Sequence, residues 1–263
     1  MSYANAKSEM EYFNQKYNEY IQEVRERSNK SKLEDFARMR GFKLSTLEEI
    51  GVFYVGDPVE LLVPKYMEMV EQFGVISPTN KKPIYHNRYV IPIRNVHGDV
   101  INVVGYSKDA NERYVYGTAT YYRRRDDMWG LEKLHKAYEL GYAIYTEGIT
   151  DAIALRDIGY EVAFANCGTH AAPIAMRQLN RCRYGIIKTP DRDQAGQSAN
   201  KKWKCCRSIT LNTFVAYKDM DEMIHADEKN VTWVKSYVED CINWLKQKEH
   251  GGFDCEKPEV TIY

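Results

Sequence analysis

Carboxylates recur at three places in the second half of the chain. Tyr145-Thr146-Glu147-Gly148 is followed by Asp151. Lys188-Thr189-Pro190 leads into Asp191-Arg192-Asp193, and Tyr217-Lys218 leads into Asp219-Met220-Asp221. Each group follows a β-prone stretch and is expected at the carboxyl end of a strand. Parallel strands bring such ends to one rim, the place where open α/β sheets bind ligands. Glu147, Asp191, Asp193, Asp219 and Asp221 would then converge. Gathered carboxylates repel unless cations neutralise them, and an all-oxygen donor set selects hard ions, Mg²⁺ or Mn²⁺. Two such ions can activate an attacking oxygen and stabilise a leaving one in phosphoryl chemistry. The plainer role for a strand-end carboxylate is to cap the next helix, and Asp193 and Asp219 are placed to do so. Recurrence at three successive strand ends favours the ion site. Gly148 and Gly196, beside the acids, allow tight turns and the close approach of a ligand.

The opposite charge is concentrated earlier. Between Lys81 and Arg125 stand nine basic residues, Lys81, Lys82, Arg88, Arg94, Lys108, Arg113, Arg123, Arg124 and Arg125, against Asp99, Asp109 and Glu112. A basic segment joined to an acidic site suits a polyanion held near bound cations.

The elements that must position these residues are readable from periodicity. Residues 5–30 carry Tyr12, Phe13, Tyr17, Tyr20, Ile21 and Val24 at helical spacing. A second helix runs from Ser31 to Met39 and ends at Gly41, a C-cap residue. Ser45 and Glu48 form a capping box for a short helix, and residues 59–74 read as another. Tyr89–Ile93 and Val100–Tyr106 alternate with period two around the turn Val96-His97-Gly98-Asp99, which predicts a β-hairpin; Pro92 marks its first strand as an edge or a bulge. From Leu134 the rhythm is β-α-β-α: strands at 142–146, 161–165, 184–188 and 213–217, helices at 150–158, 170–180, 194–207 and 220–226, and a closing helix at 231–248. Such alternation predicts a mostly parallel sheet flanked by helices. The expected organisation is a mixed α/β basic subdomain over 1–132, an α/β domain over 133–228, and a C-terminal helix and tail over 229–263.

The 263 residues, 37 basic and 37 acidic, are 44% hydrophobic, the composition of a globular chain with a sizeable core. No apolar run reaches the roughly 18 residues of a membrane span, and Met1–Phe13 lacks the basic-then-apolar pattern of a signal peptide, so no membrane partner and a cytoplasmic location are expected. The six cysteines contain no C-x-x-C, which argues against zinc in this chain. The 21 tyrosines suit core edges and base-stacking surfaces alike.

Glu147-Gly-Ile-Thr-Asp151, Asn166-Cys-Gly-Thr-His170, Asp191-Arg-Asp-Gln-Ala-Gly196 and Asp219-Met-Asp-Glu222 together resemble the Toprim domain of topoisomerases, primases and related nucleases. Upstream, Arg40–Ser45, His86–Ile101, Glu112–Tyr116 and Met128–Leu131 follow the order of the catalytic core of bacterial DnaG-type primases, so the likeness spans about residues 35–230. It implies an α+β N-terminal subdomain followed by a Toprim-type, Rossmann-like sheet. It implies nucleotidyl transfer, with RNA primers made from ribonucleoside triphosphates on single-stranded DNA. Glu147, Asp191 and Asp193 would be catalytic, the same three with Asp219 and Asp221 would hold the ions, and Asp151 would be a supporting acid. Arg40, Asn87, Arg88, Lys108, Arg113, Tyr114 and Arg124 would bind nucleotide or template.

Two departures stand out. The family's hairpin strand ends in Gly-Gly-Arg, whereas here Val104-Gly105-Tyr106 lacks that arginine, for which Lys108 is the substitute at hand. The family's usual Ser after Gly in the second βα turn is absent from Gly168-Thr169-His170, and the novel His170 reads as structural. The family's zinc ribbon is absent and the chain stops soon after the Toprim region, which suggests either a trimmed core or a minimal one such as mobile elements and bacteriophages encode. A replicative helicase and a separate zinc-ribbon protein are then the expected protein partners. The rival functions are a Toprim nuclease and a primase-like nucleic-acid-binding protein without synthesis.

Overall fold

The computed structural model describes residues 3–77, 79–122, 127–167, 173–194, 196, 198, 200, 207–250 and 259–260. It divides into two compact units, Met1–Tyr122 and Arg123–Tyr263, both mixing helices with sheet; the chain is of the α/β class. Among the described residues no helix is long and apolar enough to cross a membrane.

The first unit is built on an antiparallel sheet in the order β1 (Phe53–Val55), β2 (Arg88–Arg94), β3 (Val100–Tyr106), β4 (Tyr114–Tyr116). β1 pairs only with residues 88–90, so Pro92 meets no ladder partner on that side, and the register shifts at Ile93/Arg94. The proline is thus placed without losing a bond, although β2 is not an edge strand. Helix α1 (Tyr3–Arg27) buries Phe13, Tyr17, Tyr20, Ile21 and Val24, the residues spaced for one face, in a cluster with Tyr66, Phe73 and Tyr85. Tyr20 donates to the Leu61 carbonyl (2.9 Å) and Tyr85 to that of Val103 (3.1 Å). Tyr17, Tyr20, Tyr66 and Tyr85 are therefore core and not stacking surface, with the polar tips of Tyr20 and Tyr85 satisfied.

Helix α2 (Lys30–Arg40) starts at Asn29, whose side chain accepts from the Ser31 amide, and ends at Gly41 with φ 79°. Two expectations need correction here. Helix α3 (Leu44–Ile50) begins at Lys43 without a side-chain cap; the capping box forms instead between Asp57 and Glu60. Residues 59–74 are not one helix but short 3₁₀ turns, Pro58–Leu61 and Pro64–Tyr66, followed by further turns. Pro64 lacks the amide that a continuing helix needs.

The second unit carries a six-stranded sheet in the order β10-β9-β8-β6-β7-β5. β6 (Tyr142–Thr146), β7 (Ala163–Asn166), β8 (Gly185–Thr189), β9 (Ser208–Leu211) and β10 (Glu259–Val260) run parallel; β5 (Met128–Trp129) pairs antiparallel with β7 at the edge. The edge is fixed by half-buried Arg156, which lies over the Trp129 ring at 4.1 Å, pairs with Glu132 at 2.7 Å and donates to the Ala163 carbonyl. Helix α4 (Leu134–Leu140) leads into β6, α5 (Ile149–Asp157) follows it, and α6 (Pro173–Leu179) lies between β7 and β8. Helices Met220–Ala226 and Glu228–His250 complete the unit, and Val234, Val238, Cys241, Ile242 and Leu245 of the closing helix are buried. The fourth strand is corrected from 213–217 to 208–211: Thr213–Tyr217 is a turn, in which Thr213 Oγ1 donates to the Tyr217 carbonyl (2.9 Å). His170 lies outside the described residues.

Candidate carboxylate site and basic strand ends

Strand β6 delivers Glu147 and β8 delivers Asp191 to the same end of the sheet, because Thr146 and Thr189 are register partners. Asp219 and Asp221 arrive by a different route, through the turn after β9. That turn is tied to the Asp191–Asp193 loop. The Arg192 amide donates to the Lys218 carbonyl (2.8 Å), and its guanidinium donates to that of Thr213 (2.7 Å).

Within this site the acids divide by their partners. Asp193 Oδ1 accepts from the Gly196 amide (2.9 Å) and Asp219 Oδ1 from the Glu222 amide (2.8 Å). Both therefore cap the helix starts after them, as the plainer reading expects, with one oxygen each. Asp151 Oδ2 accepts from the Gly148 amide (3.2 Å) and its Oδ1 from the Asp221 amide (2.9 Å), a brace between two acidic turns. Asp221 is buried, with His225 Nδ1 2.8 Å from its Oδ1. The glycines approach these acids rather than leaving room for a ligand. A Cβ on Gly148 would stand 2.7 Å from Asp151 Oδ2, and one on Gly196 would stand 2.4 Å from the Asp191 carbonyl oxygen.

Glu147 and Asp191 remain electrostatically strained. Burial, then the neighbouring Asp191 and Asp193 carboxylates, push the Glu147 carboxyl above its usual range, against a backbone hydrogen bond from Asp191. Burial also raises Asp191; Lys218 opposes the rise, while Asp219 and Asp193 add to it. Glu147 Oε2 is a buried oxygen without a hydrogen-bond partner. Such an atom is costly unless a cation or donor meets it. An unpartnered carboxylate oxygen beside Asp191 and Asp193 is the donor chemistry that suits a hard divalent ion. Among the described residues, no three His, Cys, Asp or Glu side chains form a ready ligand shell. Instead Lys218, which sequence reasoning passed over, places its Nζ 3.2 Å from Asp191 Oδ2 and 3.4 Å from Asp193 Oδ2. The only signal for it in the sequence is its place directly before Asp219.

In the first unit the candidate cations meet at one end of the sheet, where Tyr89, Tyr106 and Tyr114 are lateral neighbours. Arg40 donates to the Tyr106 hydroxyl (2.8 Å), its guanidinium 5.4 Å from that ring and 5.8 Å from Phe42. Tyr106, where the resemblance expects arginine, is buried and holds an arginine from α2. Arg88 is buried as well and donates to the Arg113 carbonyl (3.2 Å), so it closes the β3–β4 loop. Arg113 and Lys108 are exposed on that loop, and Tyr114 is half-buried against Tyr106. Asn87 adopts φ 50° and accepts from the Tyr54 hydroxyl (3.0 Å). Arg124 lies outside the described residues.

Residues 144–224 match the Toprim-like family. The DNA primase of Thermotoga maritima is 26% identical over 231 residues, 82% of this chain and 40% of that protein, so the chain spans less than half the length of this relative. Among solved structures, a DnaG primase catalytic domain bound to single-stranded DNA aligns with a TM-score of 0.72 at 15% identity, covering 90% of this chain and 83% of that one. The zinc-binding and RNA polymerase domains of the Aquifex aeolicus primase align with a TM-score of 0.72 at 21% identity, covering 88% and 61%. The chain has the fold of the DnaG primase catalytic core, with a Toprim-like domain in its second unit.

Proposed function

We propose that the chain is the catalytic core of a DNA primase, joining ribonucleotides into short primers on a single-stranded DNA template. The observation that carries the reading is the strained carboxylate group at the strand ends, with Glu147 Oε2 unpartnered beside Asp191. It is supported by the shared fold and by the single-stranded DNA bound to the matched DnaG catalytic domain.

Glu147, Asp191, Asp193 and Asp219 would hold Mg²⁺ or Mn²⁺, with Asp221 behind them, oriented by His225, and Asp151 bracing the two turns. When bound, divalent ions supply charge neutralisation and activation of the attacking hydroxyl in phosphoryl transfer. The chain's own residues do the rest. Asp193 and Asp219, each held by a hydrogen bond from a backbone amide, would keep one carboxylate geometry through a turnover. Glu147 would orient the bound ion or take up the proton of an attacking 3′-hydroxyl. Arg113, Lys108 and Arg124 would neutralise triphosphate or template phosphates, while Arg40 and Tyr114 orient them and Asn87 and Arg88 shape the loop that carries them. A helicase and a separate zinc-ribbon protein are the partners this reading calls for, and the bacterial cytoplasm, from a chromosomal or phage-borne gene, is its setting.

Labelled ribonucleoside triphosphates with a single-stranded template and Mg²⁺ or Mn²⁺ test it. A ladder of short RNA is expected. Shortened template would instead make the protein a Toprim nuclease. Binding alone would make it a non-synthesising relative, the reading that Tyr106 in place of arginine favours.

A further inference from the structure

Lys218 is held by its backbone on both sides. Its amide donates to Glu222 Oε2 (2.7 Å), and its carbonyl accepts from the Arg192 amide (2.8 Å). The residue is thereby clamped to the loop that carries Asp191 and Asp193. Its side chain is the open partner of the pair, 55% exposed, while that of Asp191 is only 16% exposed. The ammonium bridges the two aspartates from the open side, and its charge opposes the upward push on both the Asp191 and Glu147 carboxyls.

We propose that Lys218 is an internal counter-ion that holds the acidic loops together before a divalent ion binds and is displaced when one does. The inference rests on the reading of these carboxylates as an ion site. One positive charge cannot balance Glu147, Asp191 and Asp193 together, and Glu147 Oε2 stays unpartnered with the lysine in place. A doubly charged ion at the same carboxylates neutralises more of the cluster, and oxygen ligation suits it better than a half-exposed hydrogen bond suits the ammonium. A surface ammonium on a four-carbon arm is also cheap to release, because exposed ion pairs are weak. The backbone clamps stay in place, so the loop keeps its position while the charge swings away.

Mn²⁺ binding to the full chain, followed by electron paramagnetic resonance without nucleotide or DNA, tests this alongside thermal melts with and without Mn²⁺. Lys218→Met and Lys218→Gln are expected to bind Mn²⁺ about three- to tenfold more tightly than the parent, since a competing charge is gone. Both should melt lower than the parent without metal and level with it at saturating Mn²⁺. Lys218→Arg, which keeps the charge, should stay near the parent. Equal or weaker Mn²⁺ binding in both neutral variants overturns the proposal while leaving the ion site standing. No Mn²⁺ binding in the parent, or parent-level binding retained in Asp191→Asn/Asp193→Asn, overturns the ion-site reading and the proposal with it.

Discussion

The two units gather charge at strand ends in opposite ways. In the first, the cations are already committed: Arg40 to the Tyr106 hydroxyl, Arg88 to the Arg113 carbonyl, with Arg113 and Lys108 exposed on the loop that these contacts shape. In the second, like charges are packed with one lysine between them and a buried oxygen left over. A basic surface of this kind is content in water and waits for phosphate. An acidic end of this kind is not, and under the proposed function its unmet demand is what bound ions would satisfy.

The contrast breaks most sharply with Asp191→Asn/Asp193→Asn. Nucleotidyl transfer should fall by at least about 10³-fold, in line with the loss of electrostatic stabilisation at a reacting centre. The melting temperature should hold or rise as like charges are removed. Full activity in a folded double variant would take the chemistry away from this rim.

Next in size is Gly105→Ala in the first unit. Its Cβ would stand 2.5 Å from the Tyr85 ring and 2.9 Å from Arg88 Cδ. A cost of roughly 1–3 kcal/mol is expected from overpacking, measured by urea denaturation, with the second unit's Mn²⁺ binding untouched.

Exposed and committed cations should then separate. Exposed Arg113, changed to Ala, is expected to weaken DNA binding a few-fold and to lower the slope of log affinity against log salt by about 1, and Arg124→Ala, predicted from the sequence alone, to do the same. Arg88→Ala should act chiefly on stability. A salt slope that Arg88 controls and Arg113 does not would reverse the assignment.

The smallest effect is on pH. Glu147 and Asp191 are raised in the folded chain by burial and by neighbouring carboxylates, so the fold binds their protons more tightly than the unfolded chain does. Their contribution is full below the unfolded values near pH 4 and is lost as pH rises through the raised ones. Metal-free protein should therefore lose melting temperature over that rise, by a degree or so. Mn²⁺ or the Asp191→Asn change should flatten the slope.

Much of this site was legible because parallel strands leave little choice about where their ends meet. Tyr142–Thr146 and Gly185–Thr189 are buried runs flanked by glycine and acid, and their register follows from the sheet. The same logic misplaced the fourth strand. Thr213-Phe-Val-Ala-Tyr217 is β-prone in composition, but Ser208–Leu211 takes the ladder and Arg192 pins the later segment as a turn. Residues 59–74 look helical in their apolar spacing until Pro64 withdraws an amide. Lys218 was invisible to pattern, because only the fold shows that a lysine on one loop reaches two aspartates on another. Tyr106 reads as a gap where an arginine belongs until Arg40 is seen on its hydroxyl.

The brace formed by Asp151 reaches from the Gly148 amide to the Asp221 amide, across 70 residues of chain. Contacts of such sequence separation form only after a long loop has closed. The turn carrying Glu147 can fold early with β6 and α5, but it gains its second tether only when the chain through Asp221 is in place. The acidic rim is thus completed in a late, concerted step of folding. In native-state hydrogen exchange, the Asp221 amide should open together with the start of α5, as one cooperative unit spanning both ends of the domain.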